Sequence, residues 1–292
     1  MPGAVLQPAR PEKLRRAERT LRLIQLAEIT AHSGCEGTPM DSVESVEAAI
    51  RLGADAAEVD VRRGAGSLVL SHDRRGEAEY ASRPRLEQVF ALVAPRAGMK
   101  VNCDIKEADV IPDVLALAAR YGLDNERLVL SGSVHPAYLR ENPRVLERAR
   151  VALNLEQALA ELYLEGLPAR ERTAQTCALV RGTPWPYVRE MAGEADAHLE
   201  RACGMCVELG VWTLNVPYAL LTQERMERIR ARGVRLSVWT VNDEEWIRSM
   251  LACGVASLTT LRVGLALAIR RGMEPGPGTR TEPPPRKEGC RS

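Results

Sequence analysis

From residue 27 onward the chain alternates short apolar runs with stretches whose apolar residues recur at helical spacing. Eight runs read as strands, at 27–32, 56–61, 100–105, 127–131, 150–154, 211–216, 234–241 and 255–260. Most are rich in Val, Ile or Leu without strict alternation, the pattern of strands covered on both faces. Between them, Val43, Val46, Ala49 and Ile50 share one face of a helix over 43–52. Asp41 and Glu44 are placed to act as its capping pair. Further helices are expected at 86–93, 109–121, 136–148, 191–209, 222–232 and 243–252, and a basic one over 12–26. Gly53, Gly122, Gly210, Gly233 and Gly254 follow five of them at the left-handed C-cap position.

Eight strands alternating with helices predict an α/β protein, a (β/α)8 TIM barrel, which typically needs about 250 residues. A doubly wound open sheet is opposed by the lack of a Gly-x-Gly-x-x-Gly after the first strand. The segment 62–84 carries an extra strand at 67–71 and reads as a small insertion after the second barrel strand. The span 156–210 is long for one crossover, and Thr183-Pro-Trp-Pro186 within it reads as a loop between two helical pieces. The expected division is an extension with a helix over 1–26, a barrel over 27–272, and a Pro-, Gly- and charge-rich disordered tail over 273–292.

Composition narrows the class of function. Forty basic against 39 acidic residues leave a net charge of +1, so no general electrostatic attraction to nucleic acid or to an anionic membrane is expected. No run of about 18 apolar residues exists to span a bilayer, and 1–26 lacks a signal-peptide core. Seven cysteines, an odd number scattered from Cys35 to Cys290, argue against a disulfide framework and for a cytoplasmic protein. The assembly state is left open between a single chain and a homo-oligomer.

Chemistry-bearing residues collect at the C-terminal ends of the strands, where a parallel barrel builds its site. The first strand ends at His32 and the second in Glu58-Val-Asp60. The extra strand ends at His72-Asp73, the third barrel strand in Asp104-Ile-Lys106, and the seventh in Trp239-Thr-Val-Asn242. Residues two apart on a strand point to one side, so Glu58 with Asp60, and Asp104 with Lys106, face the barrel interior. Three inward carboxylates need compensating charge. An all-oxygen set suits one hard divalent cation, Mg²⁺ or Ca²⁺. Lys106, with only Lys13, Lys100 and Lys287 as fellow lysines, suits a phosphate oxygen. Two histidines on separate strand ends fit paired proton transfer. The Ser33-Gly34 turn offers backbone N–H groups to an anion, and Ser131 and Ser133 are candidate pocket residues. Cys203-x-x-Cys206 lies within an expected helix without a second pair, which argues for packing rather than zinc. His135 and His198 read as surface or helix-start residues.

Seven segments, AHSG (31–34), TPMDS (38–42), GADAAEVDV (53–61), SHD (71–73), DIK (104–106), VWTVN (238–242) and GVASLTT (254–260), occur in the order found in the glycerophosphodiester phosphodiesterase family. The chain resembles that family over about 28–262. The resemblance implies a TIM barrel with a small insertion and a metal-dependent hydrolysis of glycerophosphodiesters to glycerol 3-phosphate and an alcohol. It implies His32 and His72 as the acid/base pair and Glu58, Asp60 and Asp104 as metal ligands. Lys106 would contact phosphate, and Trp239 would form a pocket wall. Ser33 stands where the family pattern has Arg, Pro39-Met-Asp-Ser42 replaces Pro-Glu-Asn-Thr, and Asp104 stands for a Glu. Thr260-Leu-Arg-Val263 replaces Thr-Asp-Arg-Pro. The alternatives are a lysophospholipase D or sphingomyelinase D-type phosphodiesterase, which needs an apolar rim, and a barrel that binds a phosphoester without turning it over.

Overall fold

The computed structural model describes residues 27–164 and 195–273. Nine strands occur there: β1 (Glu28–Ala31), β2 (Ala56–Gly64), β3 (Ser67–Leu70), β4 (Lys100–Ile105), β5 (Leu128–Gly132), β6 (Arg150–Asn154), β7 (Thr213–Pro217), β8 (Leu236–Trp239) and β9 (Ser257–Thr260). All but β3 pair in parallel, in the order β1-β9-β8-β7-β6-β5-β4-β2, and pairing of β1 with β2 closes the ring. The predicted eight-stranded TIM barrel is therefore present. The insertion after the second strand is present too: β3 runs antiparallel to β2, with Gly64 opposite Ser67. Ala65 and Gly66 between them both have positive φ, as a two-residue hairpin turn of this hand requires.

Helices cover the ring. They are α1 (Val43–Leu52), α2 (Glu77–Tyr80), α3 (Leu86–Val93), α4 (Ile111–Arg120), α5 (Pro136–Glu141) and α6 (Val145–Arg148). After these come α7 (Leu155–Leu164), α8 (Ala195–Leu209), α9 (Gln223–Ala231), α10 (Glu244–Ala252) and α11 (Val263–Met273). The helix expected over 136–148 is broken into α5 and α6. Pro143 has no N–H to donate, and Asn142 before it leaves the helical region at φ −127°, ψ 58°. The cap of α1 is also corrected: Ser42 is the N-cap, its Oγ accepting from Ser45 N at 3.1 Å. Asp41 lies outside the helix at φ 52°, its carboxylate committed elsewhere. Helices α2 and α11 have no counterpart in the expected set, and α7 falls at the start of the span expected to hold two helical pieces. The expected helix over 12–26, the loop at 183–186 and the tail after 273 lie outside the described residues.

The strands are buried on both faces, yet they alternate more strictly than expected. In β4, Val101, Cys103 and Ile105 belong to the apolar core, while Asn102 and Asp104 take the other face. The same parity sends Val59, Leu130, Leu153, Leu214, Val238 and Leu258 into the core. It leaves Glu58, Asp60, Asn154 and Asn215 on the barrel interior. The apolar core is thus a sleeve between strands and helices, around a polar centre. Cys203 and Cys206, both buried on α8, are part of that sleeve, and burial pushes the Cys206 thiol up to about 12. Among the described residues no helix is long and apolar enough to cross a membrane.

Candidate active site

The polar centre opens into a cavity of about 420 Å³ at the C-terminal ends of the strands. Parallel pairing of β2 with β4 puts Asp60 in register with Asp104 and Glu58 in register with Asn102. One carboxylate oxygen from each of Glu58, Asp60 and Asp104 then lies within 4.8 Å of the others. Lys106, two residues beyond Asp104, places Nζ 2.6 Å from Asp60 Oδ1 and 2.6 Å from Asp104 Oδ2. Its ammonium is nearly buried; burial disfavours the charged form, but the charges of Asp104 and Asp60 outweigh that and raise its pKa.

One cation does not balance three carboxylates. Burial, and then the charge of Asp104, pushes Glu58 up to about 8, although Ser33 N–H donates to its Oε2 at 2.8 Å. Asp60 is held well above the usual carboxylate range by burial and by Glu58. Asp60 Oδ2 is buried without a hydrogen-bond partner. A close set of hard oxygen donors, one of them orphaned, with negative charge in excess, fits a divalent cation of the Mg²⁺ or Ca²⁺ type.

His32 and His72 flank this cluster and both line the cavity. His32 Nδ1 lies 2.8 Å from the Ser33 carbonyl oxygen. A carbonyl only accepts, so Nδ1 carries the proton and Nε2 of the neutral ring has a free lone pair. His72 Nδ1 lies 2.9 Å from Asp73 Oδ1, and the hydrogen bond from His72 holds the Asp73 carboxyl below its ordinary value. The His72 backbone is tied by three hydrogen bonds to two side chains. Its N–H donates to Asp41 Oδ2 at 2.9 Å, and its carbonyl accepts from Arg62 Nε and Nη2 at 3.1 and 2.9 Å. Arg62 is held in turn by Glu107.

Asp41 also accepts from Arg83 at 2.9 Å, and its N–H donates to Ser33 Oγ at 2.7 Å. A single chain of hydrogen bonds therefore runs from Glu58 through Ser33 and Asp41 to His72. Ser33 is 1% exposed, and neither it nor Gly34 is among the cavity-lining residues. Lys106, Ser131, Ser133 and Trp239 do line it. His135 starts α5, as one of the two expectations for it had it, but it is buried. Its Nδ1 accepts from Ala137 N–H, and burial lowers its pKa to about 4. Asn242, from the VWTVN segment, ties the ends of β8 and β9 by accepting from Leu261 N–H at 2.8 Å.

Asn102, Asn154, Glu156 and Asn215 line the cavity and were not among the sequence candidates. Asn102, Asn154 and Asn215 carried the signal that marked the carboxylates: a polar residue at inward parity within a strand.

Three carboxylates are close enough together to hold a hard cation, an ammonium sits beside them, and two imidazoles line the same cavity. Residues 32–265 match the model of the glycerophosphoryl diester phosphodiesterase family. A Mycobacterium tuberculosis protein named probable glycerophosphodiester phosphodiesterase 2 is 25% identical over 256 residues, covering 80% of this chain and 87% of that one. Among solved structures, a glycerophosphodiester phosphodiesterase from Agrobacterium tumefaciens superposes with a TM-score of 0.57 at 16% identity, over 84% of this chain and all of the other. An Oleispira antarctica phosphodiesterase, solved with its product sn-glycerol-3-phosphate, gives 0.52 at 14% identity, over 83% of this chain and 96% of its own.

Proposed function

The chain belongs to the glycerophosphoryl diester phosphodiesterase family, and from that premise we propose that it hydrolyses small glycerophosphodiesters to glycerol 3-phosphate and an alcohol, with a divalent metal and a two-histidine acid/base pair. The chemistry balances as one diester plus one water giving one monoester and one alcohol. The observation that carries the reading is the convergence of Glu58, Asp60 and Asp104, each with an oxygen within 4.8 Å of the others, in a cavity flanked by both histidines. The product named for the Oleispira structure supports glycerol 3-phosphate as the monoester.

Glu58, Asp60 and Asp104 would hold the metal. When bound, it supplies Lewis-acid polarisation of the phosphate and neutralises charge that builds there. His32 has its Nε2 lone pair free and takes the proton of the nucleophile, either water or the glycerol 2-hydroxyl, the latter giving a cyclic phosphate that water then opens. His72, its ring held by the Asp73 carboxylate, donates a proton to the leaving alkoxide, and proton exchange with solvent resets the pair. Lys106 contacts a phosphate oxygen, and Trp239 walls the substrate. Ser33 supports the site from behind by tying Glu58 to the His72 loop. Among the described lining residues Ile105 and Trp239 are the large apolar side chains and most of the others are polar, which favours a small polar diester over a lysolipid.

The test is a coupled assay of glycerol 3-phosphate released from glycerophosphodiesters, run with Mg²⁺, Ca²⁺ or EDTA on wild type and His32→Ala. Expected are activity abolished by EDTA and a loss of about 10²-fold or more in His32→Ala. Turnover indifferent to EDTA removes the metal from the reading; full activity in His32→Ala removes the base. Metal binding without turnover of any diester would favour a phosphoester-binding barrel.

A further inference from the structure

The proposed hydrolysis leaves the β6–β7 wall of the cavity without a task. Asn154 ends β6 and is the register partner of Asn215 on β7, and Glu156 follows in the first turn of α7. Asn215 Nδ2 donates to Asn154 Oδ1 at 2.8 Å, and Asn154 Nδ2 donates to Glu156 Oε1 at 2.7 Å. The order is dictated by the carboxylate: because Glu156 accepts, the Asn154 amide turns its nitrogen that way and its oxygen to Asn215. Asn215 must then present nitrogen to Asn154, which leaves its own oxygen over.

The buried atoms of cavity-lining residues left without a partner on this wall are all acceptors. They are Asn215 Oδ1, Glu156 Oε2 and Gln157 Oε1, with Asn102 Oδ1 nearby on β4. Asn154 and Asn215 are each only 8% exposed, so water does not freely serve them. Native interiors rarely leave such groups unpaired, and several in one cavity mark where a ligand's donors belong. Burial also pushes Glu156 up to about 7, which makes the wall a poor host for excess negative charge such as a phosphate.

We propose that Asn154, Glu156 and Asn215 form the subsite for the alcohol half of the diester, selecting alcohols that carry O–H or N–H donors, polyols above all, over a trimethylammonium group. The proposal rests on the phosphodiesterase reading and adds the headgroup class to it. A polyol offers several hydroxyls to several acceptors. A primary ammonium offers N–H groups to the same atoms. A trimethylammonium head has no N–H, and its methyl groups would leave the acceptors unpaired. Sites built to bond a substrate's O–H or N–H reject analogues that lack it.

The test compares kcat/KM for glycerophosphoglycerol, glycerophosphoethanolamine and glycerophosphocholine. Wild type is expected to favour the first two over the third by roughly tenfold or more. Asn215→Leu removes an acceptor at similar volume. Glu156→Gln keeps an oxygen for the Asn154 bond and turns a donor toward the cavity. Each is expected to bring the ratio down toward one, with thermal melting showing that the fold is kept. Should Asn215→Leu fail to fold, Glu156→Gln decides alone. A wild type without preference, or variants that keep the ratio, would overturn the proposal. So would variants that slow all three substrates equally, since the wall would then serve the glycerol half common to them. Hydrolysis of none of the three would instead overturn the phosphodiesterase reading beneath it.

Discussion

Ser33 stands where the family resemblance leads one to expect an arginine, and its surroundings decide what that exchange means. It is fully enclosed, its hydroxyl taken by Asp41 N–H and its own N–H by Glu58. Restoring the family residue by Ser33→Arg should therefore not add a phosphate clamp. It would bury an unpaired guanidinium and strand the Asp41 amide, lowering stability by about 3 kcal/mol in urea unfolding. A variant as stable as wild type that binds glycerol 3-phosphate more tightly would show room for the clamp after all. Gly132 is the other telling residue. With φ 73°, it ends β5 so close to Asp104 that a Cβ would collide with Oδ1 and with the Ile105 carbonyl. Gly132→Ala is expected to push Asp104 out of place and weaken divalent-metal binding about 10- to 100-fold by calorimetry. Unchanged affinity would separate Asp104 from the metal.

Among the elements, helix starts can be probed apart from the chemistry. Asp243 caps α10 through Oδ1, which accepts from Glu245 and Trp246 N–H at 2.9 and 3.1 Å. Asp243→Ala should cost about 1 kcal/mol in chemical denaturation while leaving kcat alone; a fall in kcat would tie α10 to turnover. Elements of this kind were the most legible part of the chain. β4, β6, α1 and α3 match the pattern-based ranges, because a parity of two and a face of three and four are written locally in the residues. The carboxylate pairs at i and i+2 were legible for the same reason. Asp41 was not: its partners His72 and Arg83 lie 31 and 42 residues away, and no local pattern encodes such a bond. The break in the expected helix over 136–148 did have a local signal, in Pro143. The β6–β7 wall went unread because a single Asn at a strand end is also an ordinary turn or cap residue, and only the closed ring brings Asn154 and Asn215 side by side.

For the whole molecule, the unbalanced carboxylates couple stability to pH and, on the proposed metal reading, to a divalent cation. Glu58 rises from an ordinary 4.5 to about 8 on folding. Between those values the folded, metal-free protein holds more protons than the unfolded chain, so its stability falls as pH rises. In EDTA, the melting temperature should therefore drop from about pH 4.5 toward pH 8 and then level off as far as Glu58 governs it. Saturating Mg²⁺ or Ca²⁺ should raise it most at the upper end, since the cation displaces the proton and its affinity grows with pH. A melting temperature that climbs over that interval in EDTA, or that ignores both cations, would contradict the carboxylate cluster as a metal site. The sleeve-like core has a different consequence, one of evolvability. The side chains that hold this barrel together and those that line its cavity alternate along the same strands but point opposite ways. Inward positions such as Asn102, Ser131, Asn154 and Asn215 can be randomised together while the apolar shell stays intact. Mutational drift or a designed library can thus move this catalyst between substrates with little erosion of its foldedness.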